Sequence, residues 1–319
     1  MSESLPGSGA AARRKFVDPL WTAKGERRAV VPLTGLDTLW FNTGTLCNIA
    51  CTDCYIESTP KNDSLVYLKR DEVAAFLHQT ATLPQRPQQI GFTGGEPFMN
   101  PDIIPMLSIS LAAGFEVLVL TNAMRPMQRH GEALLALHRK YPGRLSLRVS
   151  IDHYVPEKHE QIRGPRTWSP ALDGIRWLAG HGFDLSIAGR LLWDEPEEGL
   201  RAGYAAAFAA REIPVDAHDP YRLVLFPEMN PNASVPEITE ACWGLLGKSP
   251  RDVMCASSRM VVKRKGADTP AVVACTLLPY DRQFELGATL AEAARPVALN
   301  HPHCAKFCVL GGASCSSSR

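Results

Sequence analysis

Residues 38–54 read TLWFNTGTLCNIACTDC, and the rest of the chain is best understood outward from this stretch. Thr38 to Asn42 is a short apolar run of the kind that makes a strand buried on both faces. Directly after it, Cys47, Cys51 and Cys54 fall in one loop with C-x3-C-x2-C spacing, so their thiolates can wrap a single inorganic centre. Further apolar runs suited to strands occur at Gln89 to Thr93, Phe115 to Thr121, Leu145 to Ile151, Phe183 to Leu192 and Tyr221 to Phe226. Between them lie stretches with helical spacing, namely Asp71 to Leu83, Asp102 to Ala113, Gly131 to Arg139, Ala171 to Ala179 and Glu197 to Arg211. This alternation implies an α/β fold whose parallel sheet carries helices on its outer face, either doubly wound or curled as a partial barrel. In both forms chemistry collects at the carboxyl ends of the strands, which is where the cysteine loop sits.

The chain has 319 residues, 45% of them hydrophobic, enough for a sizeable core and too many for a disordered protein. Its 34 Lys and Arg against 33 Asp and Glu give a formal charge of +1, which excludes nucleic acid as the main partner. No apolar run approaches the roughly 20 residues of a bilayer helix, and the start, MSESLPGSGAAARRKF, lacks the apolar core of a secretory signal. A cytoplasmic protein without a membrane partner is expected. Residues 1–30, rich in Gly, Ala, Ser and Arg, read as a flexible leader, 31–230 as the barrel, and 231–319 as a separate extension. In the extension a Pro-rich connection after Pro227 precedes a hairpin, Arg259 to Lys265 with Ala271 to Thr276, and a cysteine-rich tail.

Nine cysteines in a reducing compartment point to metal ligation before disulfides. None falls between Cys54 and Cys242, so two sites are implied. Three ligands on a [4Fe-4S] cube leave one iron without a protein ligand, the open position that separates reactive metal sites from closed ones. A zinc site completed by a nearby His is the competing reading of the first trio, and a zinc staple that of the later group.

The trio after a first strand resembles the signature of the radical S-adenosylmethionine (SAM) superfamily. Gly94-Gly95-Glu96-Pro97, ending the second strand, is similar to that family's GGEP element; the glycines would let backbone approach a ligand, and Glu96 would accept from its ammonium group. Thr121-Asn122 resembles the TN pair of many members. Ser150-Ile151-Asp152, with His159 and Arg163-Gly164 downstream, resembles the SxD, H and RG pattern of members that carry auxiliary clusters. Arg190 is a candidate partner for the SAM carboxylate, because a guanidinium matches a carboxylate bidentately. One departure is Asp53, where most members place an aromatic residue near adenine; Tyr55 follows Cys54 and is the available substitute.

The resemblance implies a partial (β/α)6 TIM-type barrel with a small cysteine-rich C-terminal extension. It also implies a cluster on Cys47, Cys51 and Cys54 whose unique iron binds SAM. SAM contacts would come from Gly94, Gly95, Glu96, Pro97, Asn122, Ser150, Asp152 and Arg190. An electron from a donor such as flavodoxin or ferredoxin would cleave SAM to methionine and a 5′-deoxyadenosyl radical, which abstracts hydrogen from a peptide or small-molecule substrate. The tail resembles the SPASM and twitch extensions of the superfamily. With only six cysteines there, one additional [4Fe-4S] cluster is implied, held by four of Cys255, Cys275, Cys304, Cys308 and Cys315, or by three with an open iron. Cys242, beside Trp243, reads as an ordinary buried thiol. A non-catalytic iron-sulfur or zinc protein serving as electron carrier or scaffold is the alternative, and GGEP weighs against it.

Overall fold

The computed structural model describes residues 14–228, 230 and 234–312, so Cys315 lies outside the described residues. Six strands run parallel in sequence order: β1 (Thr38–Asn42), β2 (Gln89–Thr93), β3 (Glu116–Thr121), β4 (Leu145–Ser150), β5 (Asp184–Leu191) and β6 (Leu223–Pro227). The connections carry α1 (Arg70–Gln79), α2 (Ile103–Ala112), α3 (Gly131–Lys140), α4 (Pro156–Arg163), α5 (Trp168–Gly180) and α6 (Glu197–Ala209). Of the two forms the alternation left open, this is the partial barrel that the resemblance implies, a parallel sheet with helices crossing on one side. Helix α4 is the element the spacing does not announce: PEKHEQIR buries only His159 and Ile162.

Packing explains the strand pattern. Every residue of β1 is buried, and Phe41 stacks on Phe92 of β2 with ring centroids 5.6 Å apart. Gly91 lies under the Trp40 indole, where a Cβ would stand 2.3 Å from ring carbon Cε3, so the flat ring fills the space of the absent side chain.

The C-terminal segment joins this sheet. Strand β7 (Ser258–Val262) pairs parallel with β1, Thr38 opposite Ser258 and Phe41 opposite Val261. β8 (Ala271–Val273) then pairs antiparallel with β7, making the expected hairpin, and β9 (Glu285–Gly287) follows on β8. The sheet therefore has nine strands, with the chain's cysteine-rich part on the edge beside β1. Of the leader expected over 1–30, residues 14–30 pack against the body. Arg28 is buried and its guanidinium is fully engaged, donating to Glu237 Oε1 at 2.6 Å and to the carbonyls of Asp18, Trp21 and Leu299. Val30–Val31 pairs with Val297–Ala298. A buried cation without those acceptors would cost several kcal/mol, so these contacts fix the segment.

Candidate active site

A cavity of about 1080 Å³ opens at the carboxyl ends of the strands. Cys47, Cys51 and Cys54 share its wall with Gly94 and Gly95 after β2, Thr121 and Asn122 at the end of β3, Ser150 and Asp152 at β4, and Arg190 on β5. The expected residues thus converge from five strand ends, apart from Glu96 and Pro97, which sit behind the wall.

The glycine pair is required by the cysteine loop itself. Gly94 has φ +143°, and a Cβ there would stand 2.5 Å from Gly44 O; at Gly95 it would stand 2.2 Å from Leu46 O. Gly95 N–H donates to Gly44 O at 2.8 Å and Glu96 N–H to Leu46 O at 3.1 Å, pinning the backbone that leads into Cys47. The close approach expected toward a ligand is therefore made first toward the thiol loop.

Glu96 is 1% exposed and its carboxylate is already occupied. It accepts from Thr121 Oγ1 at 2.8 Å, Asn122 N–H at 2.9 Å and Phe98 N–H at 3.2 Å. Burial pushes the carboxyl up to about 7 despite these three donors. Geometrically Glu96 ties the end of β2 to the end of β3, and no oxygen of it reaches the cavity wall. Thr121 Oγ1 also accepts from Ala123 N–H at 3.0 Å, holding Ala123 in a left-handed turn at φ +56°. Asn122 Nδ2 donates to Asn48 Oδ1 at 2.9 Å, and that oxygen lies 4.0 Å from Cys47 Sγ.

Cations gather on the far wall. Arg163, from α4, grips Asp152 bidentately at 2.8 and 3.2 Å. Asp152 N–H donates to His159 Nδ1 at 3.3 Å, and burial, then Arg163, pushes that imidazole down to about 4, so it is a neutral acceptor. Arg190 Nη2 is buried with no hydrogen-bond partner, on a side chain that lines the cavity. An unsatisfied guanidinium nitrogen in such a place calls for an acceptor from a ligand. Arg148 also lines the cavity, with Nε donating to Ser186 Oγ at 3.2 Å. It was not singled out from sequence, although an Arg inside the apolar run LSLRVS is a signal that could have been read. Tyr55 stands on the wall, while Asp53 takes φ +57°, a left-handed conformation that Asp tolerates and aromatic residues disfavour.

The thiols fit an iron-sulfur centre. None of the eight described cysteines is joined in a disulfide. Burial pushes the Cys47 thiol up to about 12, with Glu96 and Cys51 adding to it, and burial also raises Cys51, partly countered by Arg163. Neutral buried thiols of this kind lose their protons on binding metal. Among the described residues no three His, Cys, Asp or Glu side chains converge tightly enough to hold one metal ion.

Cys255, Cys275, Cys304 and Cys308 meet at a second, smaller cavity of about 350 Å³. Burial, then Cys275, Cys255 and Cys308, raise the Cys304 thiol well above its ordinary value. Leu277 lines both cavities. The helical segment Cys304–Leu310 turns Phe307 toward the first cavity and Cys304 and Cys308 toward the second. Cys242 accepts from Thr239 N–H at 3.3 Å and lines neither cavity, in keeping with an ordinary thiol, although it is half-buried and not the buried thiol expected.

Comparison with known proteins gives a family match and a fold. The family model described as Radical SAM superfamily matches residues 41–198. Antilisterial bacteriocin subtilosin biosynthesis protein AlbA of Bacillus subtilis is 27% identical over 144 residues, 44% of this chain and 30% of that protein. GTP 3′,8-cyclase of Picosynechococcus sp. is 30% identical over 148 residues, 43% of this chain and 42% of that protein. The matched stretch thus spans less than half of either relative. Among solved structures, Streptococcus suis SuiB bound to S-adenosylmethionine superposes with a TM-score of 0.58 at 11% identity, covering 80% of this chain and 64% of that one. That likeness carries the fold. No helix among the described residues is long and apolar enough to cross a membrane.

Proposed function

Because residues 41–198 belong to the radical SAM superfamily, we propose that this chain cleaves SAM reductively and uses the resulting 5′-deoxyadenosyl radical to abstract hydrogen from a peptide. The observation that carries the reading is the meeting of Cys47, Cys51 and Cys54 with Arg190, whose Nη2 lacks a partner, on one cavity. In it, Cys47, Cys51 and Cys54 hold a [4Fe-4S] cluster, and Cys255, Cys275, Cys304 and Cys308 hold a second. The bound cluster and SAM supply the electron-transfer and radical chemistry.

The chain's own residues bind, orient and shield. Arg190 would take the SAM carboxylate, and the Gly94–Gly95 backbone would face its amino group. Asn122 and Ser150 offer polar contacts along the wall, and Tyr55 offers a ring face to the adenine in the place of the usual aromatic residue. Asp152 and Arg163 act as a fixed pair that shapes the floor. Glu96 and Pro97 position the turn instead of touching ligand. Residues 31–230 form the SAM-cleaving part and 231–319 the auxiliary-cluster part, with Leu277 packed between the two cavities.

A peptide substrate is supported by two relatives. SuiB has been solved with precursor peptide SuiA, with a TM-score of 0.58 at 12% identity, and AlbA serves bacteriocin biosynthesis. A small-molecule substrate is the second reading, favoured by the matches to GTP 3′,8-cyclase and to an AdoMet-dependent heme synthase. Nothing found favours a carrier or scaffold role. Anaerobic reconstitution followed by SAM and dithionite tests the proposal: 5′-deoxyadenosine accumulates if it is right, and its absence from fully loaded protein would refute it.

A further inference from the structure

The wall that carries Cys47 has an outer face. Asn48 Oδ1 sits 4.0 Å from Cys47 Sγ, and Asn48 also lines an open depression of about 840 Å³ with Phe98, Met99, Arg125, Arg129 and His130. Arg125 and Arg129 are exposed, lie one helical turn apart, and have no carboxylate partner among the described residues. No Asp or Glu lines the depression, although the whole chain carries only +1. Its floor is apolar, with Phe98 and His130 rings 6.0 Å apart and Met99 and Pro126 beside them. Unpaired guanidinium groups around an aromatic and methionine floor are the composition of a protein interface, and their charge selects an acidic partner.

We propose that this depression docks a small acidic electron-transfer protein, which reduces the inorganic centre at Cys47 by way of Asn48. The proposal rests on the assignment of Cys47, Cys51 and Cys54 as cluster ligands. The step is a one-electron transfer: the flavin or iron-sulfur group of the donor is oxidised by one electron, the centre is reduced by one, and no bond is made or broken at the interface. The position decides the occupant. A small anion would be satisfied by Arg125 and Arg129 alone, whereas the apolar floor and the nearness of Cys47 through a single side chain are used only by a redox protein.

The test is the Arg125→Glu/Arg129→Glu double variant, with a bacterial flavodoxin as probe. Calorimetric titration of flavodoxin into cluster-free protein gives a Kd that weakens about tenfold in the variant, and the wild-type Kd weakens as salt is raised. In loaded protein, flavodoxin-driven 5′-deoxyadenosine formation falls about tenfold while the dithionite-driven rate is unchanged. Equal flavodoxin affinity in variant and wild type would overturn the docking site. So would binding of inorganic phosphate at the depression with no competition against flavodoxin. Wild-type protein giving no product with dithionite would instead refute the SAM-cleavage reading, and the titration would still decide the docking.

Discussion

Thr121→Val removes one hydroxyl without opening a cavity, and the structure says what that hydroxyl holds. Oγ1 donates to the Glu96 carboxylate at 2.8 Å and accepts from Ala123 N–H at 3.0 Å, on a side chain that is 3% exposed. The variant leaves a buried N–H unpaired and strips one of three donors from a buried carboxylate. Together these cost about 2–4 kcal/mol. With a urea slope of about 3 kcal/mol/M the unfolding midpoint of cluster-free protein falls by about 1 M. Thr121→Ser, which keeps the hydroxyl and loses one methyl group, costs about 1 kcal/mol.

The deficit has a pH signature. Burial raises the Glu96 carboxyl from its ordinary 4.5 to about 7 in the folded protein, so its contribution to stability is complete below 4.5 and is lost as pH rises through 7. Without the Thr121 donor the folded value rises further, and the variant loses more over the same rise in pH. Thr121→Val therefore falls further behind wild type at pH 8.5 than at pH 5.5. Midpoints that coincide within about 0.2 M at both pH values, or Ser and Val variants that behave alike, would refute the role given to this hydroxyl.

Other outcomes follow from the same geometry. Cys51→Ala abolishes 5′-deoxyadenosine and lowers iron from about eight to about four per chain, whereas Cys308→Ala leaves uncoupled SAM cleavage measurable and lowers substrate conversion; iron and product assays of both variants separate the two centres. Arg190→Lys cannot make the bidentate contact, so the Kd for SAM weakens about tenfold by equilibrium dialysis while cluster content stays constant; an unchanged Kd would remove Arg190 from the SAM site. Gly95→Ala drives a Cβ to within 2.2 Å of Leu46 O, and the displaced loop loads less iron on reconstitution. Full loading of that variant would show that the loop can yield.

Much of the fold was legible because its signals are local. The apolar runs at β1 to β6 and the helical spacing between them bracket the observed elements to within a few residues, and the expected site residues lie at the strand ends that the alternation locates. What stayed hidden depends on contacts distant in sequence. Arg28 sits in a polar leader, and its burial follows from contact with Glu237, 209 residues away in sequence. Helix α4 has a mostly polar face, and its Arg163 is fixed by Asp152 more than by any pattern of its own. Glu96 matched a ligand-binding motif by type, yet hydrogen bonds from Thr121 and Asn122 at the end of the next strand turn it inward. The grouping of Cys255 and Cys275 with Cys304 and Cys308 was expected from the resemblance, whereas the docking of β7 beside β1 was not, because no local spacing encodes it.

That docking has a temporal side. During synthesis β1 and the thiol loop that follows it precede the strand that covers the outer edge of β1, Ser258–Val262, which is made after β6. Until then the growing barrel shows a bare row of backbone donors and acceptors beside the loop that carries Cys47, Cys51 and Cys54. A nascent chain paused short of Ser258 would leave that edge exposed, and pairing of Ser258–Val262 with β1 covers it.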